Sequence, residues 1–280
     1  MKEINIKKQA QADCLLKQIP KQTEFDEIIK EDTKILFNGE PVAIYINVPK
    51  HLLVGMRAIA KNTKFQKTQR TWGLPTQSSV FGALPRNPLR HDRCRFSGQS
   101  VLEKENFANA FEFGQHVGQL YAQHLPEAYR INKDLVDQNI HGDWLPTNQP
   151  FTTCNFNINH AIKHHRDTGN FKNVFSNVLI LKEGILGGLL VFPELKIAFE
   201  QSDGALGIFD GQRWIHGVTP ITRIEKTGYR ASIVFYALDG MRHCYPYKAE
   251  AQRFAKVKTT RATQRAKGNP VLKTMVKKNG

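Results

Sequence analysis

Between residues 174 and 236 the chain carries four short apolar runs, at 174–181, 189–192, 205–209 and 229–236, separated by segments that favour turns. Gly184, Gly187 and Gly188 part the first run from the second, and Asp210-Gly211 stops the third. Runs of this length bounded by turn residues suit buried strands, so this part of the chain is expected to build packed β-sheet. Alternation along the last run places Arg230, Ser232, Val234 and Tyr236 on one face. A guanidinium and a hydroxyl on an inward face imply a polar interior.

Just before these runs stands His165-Arg166-Asp167. On an extended segment, side chains two apart leave the same face and can grip one metal from adjacent directions. His216, between the third and fourth runs, would be the third ligand. Two imidazoles and one carboxylate suit iron(II), and holding the metal from one side leaves positions open for a cosubstrate and oxygen. The Arg230 guanidinium can clamp a carboxylate through two parallel hydrogen bonds. A dicarboxylate whose 2-oxo acid end chelates the metal fits that description, as 2-oxoglutarate does. The same residues also admit a plainer account, with Arg230 paired to a structural acid, His216 a satisfied loop histidine and Asp167 a turn former.

The chain has 280 residues, enough for one large β-rich domain or two modest ones. No apolar run reaches transmembrane length, and residues 1–13 lack the apolar core of a secretory signal. Cys14, Cys94, Cys154 and Cys244 are far apart and lack paired spacing, which points to reduced cysteines in an intracellular protein. Residues 20–31 are expected to form a short helix, 33–49 a hairpin turning at Asn38-Gly39, and 52–62 a short basic helix. Between 100 and 140 two helices are expected, one ended by Pro126 and one over 127–138, with aromatics packed on a sheet.

Charge is localised. The net charge is +15, and residues 51–95 carry nine Lys or Arg against Asp92 alone, while 242–280 carry eleven against Glu250 alone. Within the first of these segments, 70–73, 81–86 and 90–95 read as loops in which Arg70, Arg86, Arg90, Arg93 and Arg95 alternate with aromatics and turn residues. In the second, residues 248–267 are expected to be helical and the end mobile. Concentrated positive charge is the footprint of a polyanion partner, although a basic surface kept for solubility has the same composition. An anionic membrane is disfavoured because neither segment shows a strong lipid-facing apolar stripe.

At His165-Arg166-Asp167-Thr168-Gly169-Asn170, Phe209-Asp210-Gly211, His216-Gly217-Val218-Thr219-Pro220, and Arg230 with Ser232 and Tyr236, the sequence resembles the TET/JBP family of iron(II)/2-oxoglutarate-dependent DNA methylpyrimidine dioxygenases. The match is strongest over 151–238. It implies His165, Asp167 and His216 as iron ligands, Arg230 and Ser232 as 2-oxoglutarate contacts, O2 as the other cosubstrate, Asn170 bonding the target base and Tyr236 stacking near it. His164 is left without a catalytic role, at the surface or in support of the site. Family members acting on 5-methylcytosine often carry a histidine two residues beyond that tyrosine; this chain has Leu238, which leaves both thymine and 5-methylcytosine open.

The implied fold is mainly β with supporting helices, a double-stranded β-helix or jelly roll. Metal-binding cupins are its neighbour, usually with a more histidine-rich ligand set. The expected organisation is a single α+β dioxygenase domain over 1–241, with N-terminal helical and basic-loop elaborations, and a basic tail over 242–280. The expected partner is duplex DNA with a flipped target base, with no membrane and no obligate protein partner evident. The expected location is intracellular, nuclear in a eukaryote and cytoplasmic otherwise. A related dioxygenase acting on RNA, protein or a small molecule, and a non-catalytic nucleic-acid-binding protein, are the alternatives.

Overall fold

The closing strand Tyr229–Tyr236 lies inside a ten-stranded sheet, between Ser176–Glu183 and Thr153–Ile158 and antiparallel to both. The computed structural model describes residues 1–68, 76–87 and 92–267. From one edge the sheet runs Lys2–Ile6, Thr33–Phe37, Glu40–Asn47, Ala205–Phe209, Ser176–Glu183, Tyr229–Tyr236, Thr153–Ile158, Thr76–Leu84 and Gln66–Thr68. Arg95–Phe96 pairs with the end of Thr76–Leu84. A second sheet of four strands runs Gly217–Val218, Leu190–Phe192, Ile197–Phe199 and Glu27–Ile29, and Ile185–Gly187 pairs with Ile221–Arg223. With helices against the large sheet, the architecture is a mixed α/β fold.

Alternation sorts the closing strand between two environments. Ala231, Ile233 and Phe235 are fully buried with Phe81, Phe156 and Leu181 against the helix Lys104–His124. This helix approaches closely at Gly114, where an added Cβ would lie 3.2 Å from a Phe235 ring carbon. The helix Pro126–Asn139 follows at once, with Pro126 in its first turn, where a missing N–H costs nothing. On the other face of the large sheet, Tyr45, Ile180 and Phe209 pack with Phe192, Phe199 and Trp214 in the core shared with the second sheet. Arg230, Ser232, Val234 and Tyr236 therefore face the space enclosed on that side.

Several expectations hold. Thr33–Phe37 and Glu40–Asn47 form the hairpin, Val54–Asn62 is helical after a 3-10 turn at Lys50–Leu53, and Tyr247–Ala266 is the helix expected near the C-terminus. Three do not. Residues 20–31 make a 3-10 turn at Gln22–Glu24 and then the strand Glu27–Ile29, parallel to Ile197–Phe199. An open edge of the second sheet captures these apolar residues, and tertiary pairing overrides a weak helical pattern. The basic stretches at 81–86 and 90–95, read as loops, contribute to the strands Thr76–Leu84 and Arg95–Phe96.

The third correction concerns the cysteines. Cys94 and Cys244 form a disulfide across 150 residues of sequence, while Cys14 and Cys154 are free. Cys94 directly precedes the short edge strand, and the chain that leaves the closing strand at Tyr236 emerges at the same end of the sheet. Sequence spacing carries no trace of that meeting. No described helix is long and apolar enough to cross a membrane.

Gly82, inside Thr76–Leu84, combines a φ of +109° with a neighbouring strand so close that an added Cβ would overlap the Thr152 carbonyl oxygen. Gly82→Ala should therefore lose about 2 kcal/mol or more of stability. The midpoint of urea unfolding checks this, and an unchanged midpoint would show that the strands separate freely there.

Candidate active site

Two backbone hydrogen bonds bring the distant halves of the histidine pair together. His165 N donates to the His216 carbonyl at 2.9 Å, and His216 N donates to the His165 carbonyl at 3.0 Å. Asp167 is placed by a third, from its N–H to the Gly211 carbonyl at 2.8 Å. Gly211 must lack a side chain, because a Cβ there would overlap the Asp167 carboxylate. This accounts for the Asp-Gly pair that ends the strand Ala205–Phe209.

Ligand atoms of His165, Asp167 and His216 all lie within 4.8 Å of one another. The Nε2 atoms of the two histidines are 3.5 and 3.6 Å from Asp167 Oδ1. Each ring is oriented by its other nitrogen. Nδ1 of His165 bonds the Lys163 carbonyl at 2.9 Å, and Nδ1 of His216 bonds the Trp214 carbonyl at 3.0 Å. With Nδ1–H donated to a carbonyl, Nε2 presents its lone pair toward the shared centre. The second oxygen of Asp167 accepts a short hydrogen bond from the buried Ser176 hydroxyl, leaving Oδ1 for the centre. Burial opposes charge on Asp167, but the adjacent His216 and His165 outweigh it and hold the carboxyl well below its usual range. Two imidazoles and an ionised carboxylate on one side of a common point make the facial donor set of iron(II) dioxygenases, and the residues fit that metal.

Glu194 braces both halves of the set. Its buried carboxylate accepts from the Ile215 N–H at 2.6 Å and from Arg166 Nη2 at 3.0 Å, so one side chain ties the neighbours of His216 and of His165. His164 is fully buried rather than at the surface, its Nε2 2.6 Å from Glu24 Oε2.

The donor set opens into a cavity of about 340 Å³, also lined by Arg230, Ser232, Asn170, Tyr236 and Leu238. Arg230 is 1% exposed, and its guanidinium donates to the His160 carbonyl at 3.2 Å and to the Gln201 side-chain oxygen. Both acceptors are neutral. Nε has no partner among the described residues, and burial pushes the Arg230 pKa down to about 10, so the group remains a cation at neutral pH. A buried cation held only by neutral acceptors is stabilised by an incoming anion. A backbone bridge between Asn170 and Leu238 brings the loop after the HxD segment beside the end of the closing strand.

All seven residues expected at the iron, cosubstrate and base positions thus line one cavity. The basic residues divide differently. Arg70 and Arg90 lie outside the described residues. Arg86 is bound to Glu250, with its Nε donating at 2.9 Å, and stacks on Tyr245; Arg93 lies over Phe254. Asn155, Asn157, Gln201, Ser176 and Glu194 went unassigned in the sequence. The alternation Asn155-Phe156-Asn157 was a legible signal, since two amides on one face of a buried strand need polar company. For Gln201, Ser176 and Glu194 no sequence signal was available.

Comparison with known proteins follows the same lines. The family described as the oxygenase domain of the 2OGFeDO superfamily matches residues 83–239. The chain is 26% identical over 207 residues to the bifunctional helicase and thymine dioxygenase JBP2 of Leishmania braziliensis, covering 71% of this chain and 18% of that protein. It is 27% identical over 130 residues to the JBP2 of Trypanosoma brucei brucei, covering 46% of this chain and 12% of that one. The chain thus spans less than a fifth of the length of these curated relatives. Among solved structures, NgTET1 in complex with 5mC DNA is similar with a TM-score of 0.58 at 13% identity, over 84% of this chain and 90% of that chain. At that identity the likeness concerns the fold.

Removing the Ser176 hydroxyl leaves Asp167 free to rotate away from the centre. Ser176→Ala should weaken ferrous iron binding about 10- to 100-fold, read by anaerobic titration calorimetry, with little change in the thermal transition. Unaltered iron affinity would show that Asp167 is oriented without the hydroxyl.

Proposed function

The chain belongs to the Tet_JBP family, the oxygenase domain of the 2OGFeDO superfamily, and on that premise we propose that it hydroxylates the 5-methyl group of a pyrimidine in DNA, with thymine the favoured base. One observation carries the reading: a single cavity contains both the facial donor set and Arg230, a buried cation with only neutral partners. His165, Asp167 and His216 hold iron(II). Arg230 receives the distal carboxylate of 2-oxoglutarate, with Ser232 beside it on the same strand face. Iron, 2-oxoglutarate and O2 supply the oxidising chemistry; the protein binds, orients and excludes water.

Gln201 and the His160 carbonyl orient the Arg230 fork, while Val178, Leu190, Phe209 and Val218 wall the cavity with apolar surface. Asn170, Tyr236 and Leu238 line the same cavity. There Asn170 offers an amide to a base edge and Tyr236 a ring to its face. A base stacked in a duplex cannot reach this depth, so it must be flipped out, with basic side chains holding the backbone. Thymine is favoured because the curated relatives are named as thymine dioxygenases and because Leu238 is apolar. The second reading, 5-methylcytosine, draws on the 5mC DNA held by the solved structure of similar fold. An amide at Asn170 serves either base, as it can both donate and accept.

The two packed sheets are consistent with a double-stranded β-helix over a domain at 1–241, extended by the basic segment 242–280. A substrate in DNA puts the protein inside the cell, in the nucleus of a eukaryote and in the cytoplasm otherwise. Arg230 is buried and its fork is fixed by Gln201 and the His160 carbonyl, so a side chain without that fork cannot reproduce the clamp. Arg230→Ala should raise the 2-oxoglutarate requirement at least about 100-fold while changing iron affinity little. Arg230→Lys, which keeps charge but not the fork, should recover only a small part. Unchanged 2-oxoglutarate dependence in the Ala variant would reject the clamp.

Substrate identity is tested by incubating the iron-loaded protein with thymine-containing and 5-methylcytosine-containing duplexes and analysing the nucleosides by mass. A gain of one oxygen on thymidine, abolished by Asp167→Ala, is the expected result. Oxidation confined to 5-methyldeoxycytidine selects the second reading. Succinate released only with substrates other than DNA overturns both.

A further inference from the structure

A second, smaller cavity of about 120 Å³ lies between the edge strand Arg95–Phe96 and the C-terminal helix Tyr247–Ala266. Its charged wall consists of Arg93, Arg95 and Glu250. Glu250 is 1% exposed, and its carboxylate is already fully engaged. It binds Arg86 through two nitrogens, the Cys94 N–H at 3.0 Å and Arg253 Nη2 at 3.0 Å. Burial opposes its charge, but Arg86, the Cys94 N–H and Arg253 outweigh that and hold its pKa at about 2.

Arg95 is the exception in this cluster. Its Nη1 is buried and has no hydrogen-bond partner among the described residues, although it shares a cavity with the Glu250 carboxylate. An arginine kept for structure alone would be expected to pair with that acid. Instead Arg95 stands half-buried beside Arg93, and both burial and that like charge lower its pKa. The main chain that presents it is rigid: Arg95 pairs with Leu84, and the preceding Cys94 is tied to Cys244. A fixed, partly dehydrated guanidinium with open donors is a receptor for a tetrahedral oxyanion.

Placement relates this cavity to the larger one. Tyr236 pairs with Thr153, Thr153 with Gly82, and Arg95 with Leu84, two residues beyond Gly82 at the same end of the sheet. Three steps between strands amount to roughly 15 Å. That separation corresponds to roughly four nucleotides of one DNA strand at about 3.4 Å rise each.

We propose that Arg95 and Arg93, at the cavity between the edge strand and the C-terminal helix, form a phosphate-binding subsite that grips a backbone phosphodiester to one side of the target base. The proposal rests on the reading of the chain as acting on DNA, and binding rather than turnover tests it. The same chemistry would accept the phosphate of a free small molecule, so the experiment has two arms.

In the first arm, the affinity of the full chain for a duplex oligonucleotide is measured at several salt concentrations, for the unaltered protein, Arg95→Gln and Arg223→Gln. Arg223 is exposed on a strand of the separate two-stranded sheet and controls for net charge. Arg95→Gln is expected to weaken duplex binding roughly tenfold and to make the slope of log affinity against log salt shallower by about 0.9, with Arg223→Gln near the unaltered protein. In the second arm, inorganic phosphate is titrated at constant ionic strength against a fixed duplex concentration.

Phosphate competition lost in Arg95→Gln, together with the shallower slope, supports the subsite and its place on the duplex. Competition that depends on Arg95 with an unchanged slope retains the oxyanion site and assigns it to a free phosphate-bearing ligand, overturning the backbone assignment. An unchanged slope with no Arg95-dependent phosphate effect overturns the subsite altogether. Thermal transitions of the variants identify any loss due to unfolding, and Arg95→Lys, which retains charge without the fork, then provides the second test. Because no product is measured, a chain that binds duplex through Arg95 but oxidises some other substrate would defeat the functional reading and leave this inference standing.

Discussion

The pair of backbone hydrogen bonds exchanged by His165 and His216 is the contact on which the rest of the site depends. Imidazoles fifty-one residues apart acquire a fixed separation only because their main chains form a two-residue antiparallel bridge. Everything nearby reinforces it. Glu194 ties Ile215 to Arg166, Gly211 admits the Asp167 carboxylate, and Ser176 selects which of its oxygens faces the centre. A donor set fixed by so many contacts of the protein's own has little conformational freedom to lose when a metal binds.

Unbalanced buried charge distinguishes the two cavities from ordinary core. In the large one, Arg230 is buried with neutral acceptors and no acid. In the small one, a single buried acid is shared by Arg86 and Arg253 while Arg95 remains without it. Burying an unpaired cation costs free energy that the fold must offset elsewhere, and a ligand anion removes that cost when it binds. Both cavities lie along the same set of strands, which makes the large sheet their common frame.

Much of the site was legible because strand periodicity is a local property. The alternation that puts Arg230, Ser232, Val234 and Tyr236 on one face follows from the pleat alone, and the spacing of His165 and Asp167 follows from the same geometry. Family resemblance added roles for Asn170 and Tyr236 that no spacing could supply. Legibility failed where partners come from afar. The helix expected over residues 20–31 gave way to a strand because Ile197–Phe199 offered it an edge, and the loops expected at 81–86 and 90–95 proved to contribute to strands. Basic residues that looked equivalent in a charge count were separated by one acid: Glu250 engages Arg86 and leaves Arg95 open.

By itself the sequence determined the strand-rich core, the helices that cover it, the donor types and the face of the closing strand on which the arginine lies. These depend on properties of neighbouring residues, period two or period 3.6, and on side-chain chemistry. Only the tertiary structure decided that His216 meets His165, that Gln201 rather than an acid receives Arg230, that Cys94 joins Cys244, and which arginines remain unpaired. Each of these is a contact between segments remote in sequence, and such contacts are selected by sheet order and register.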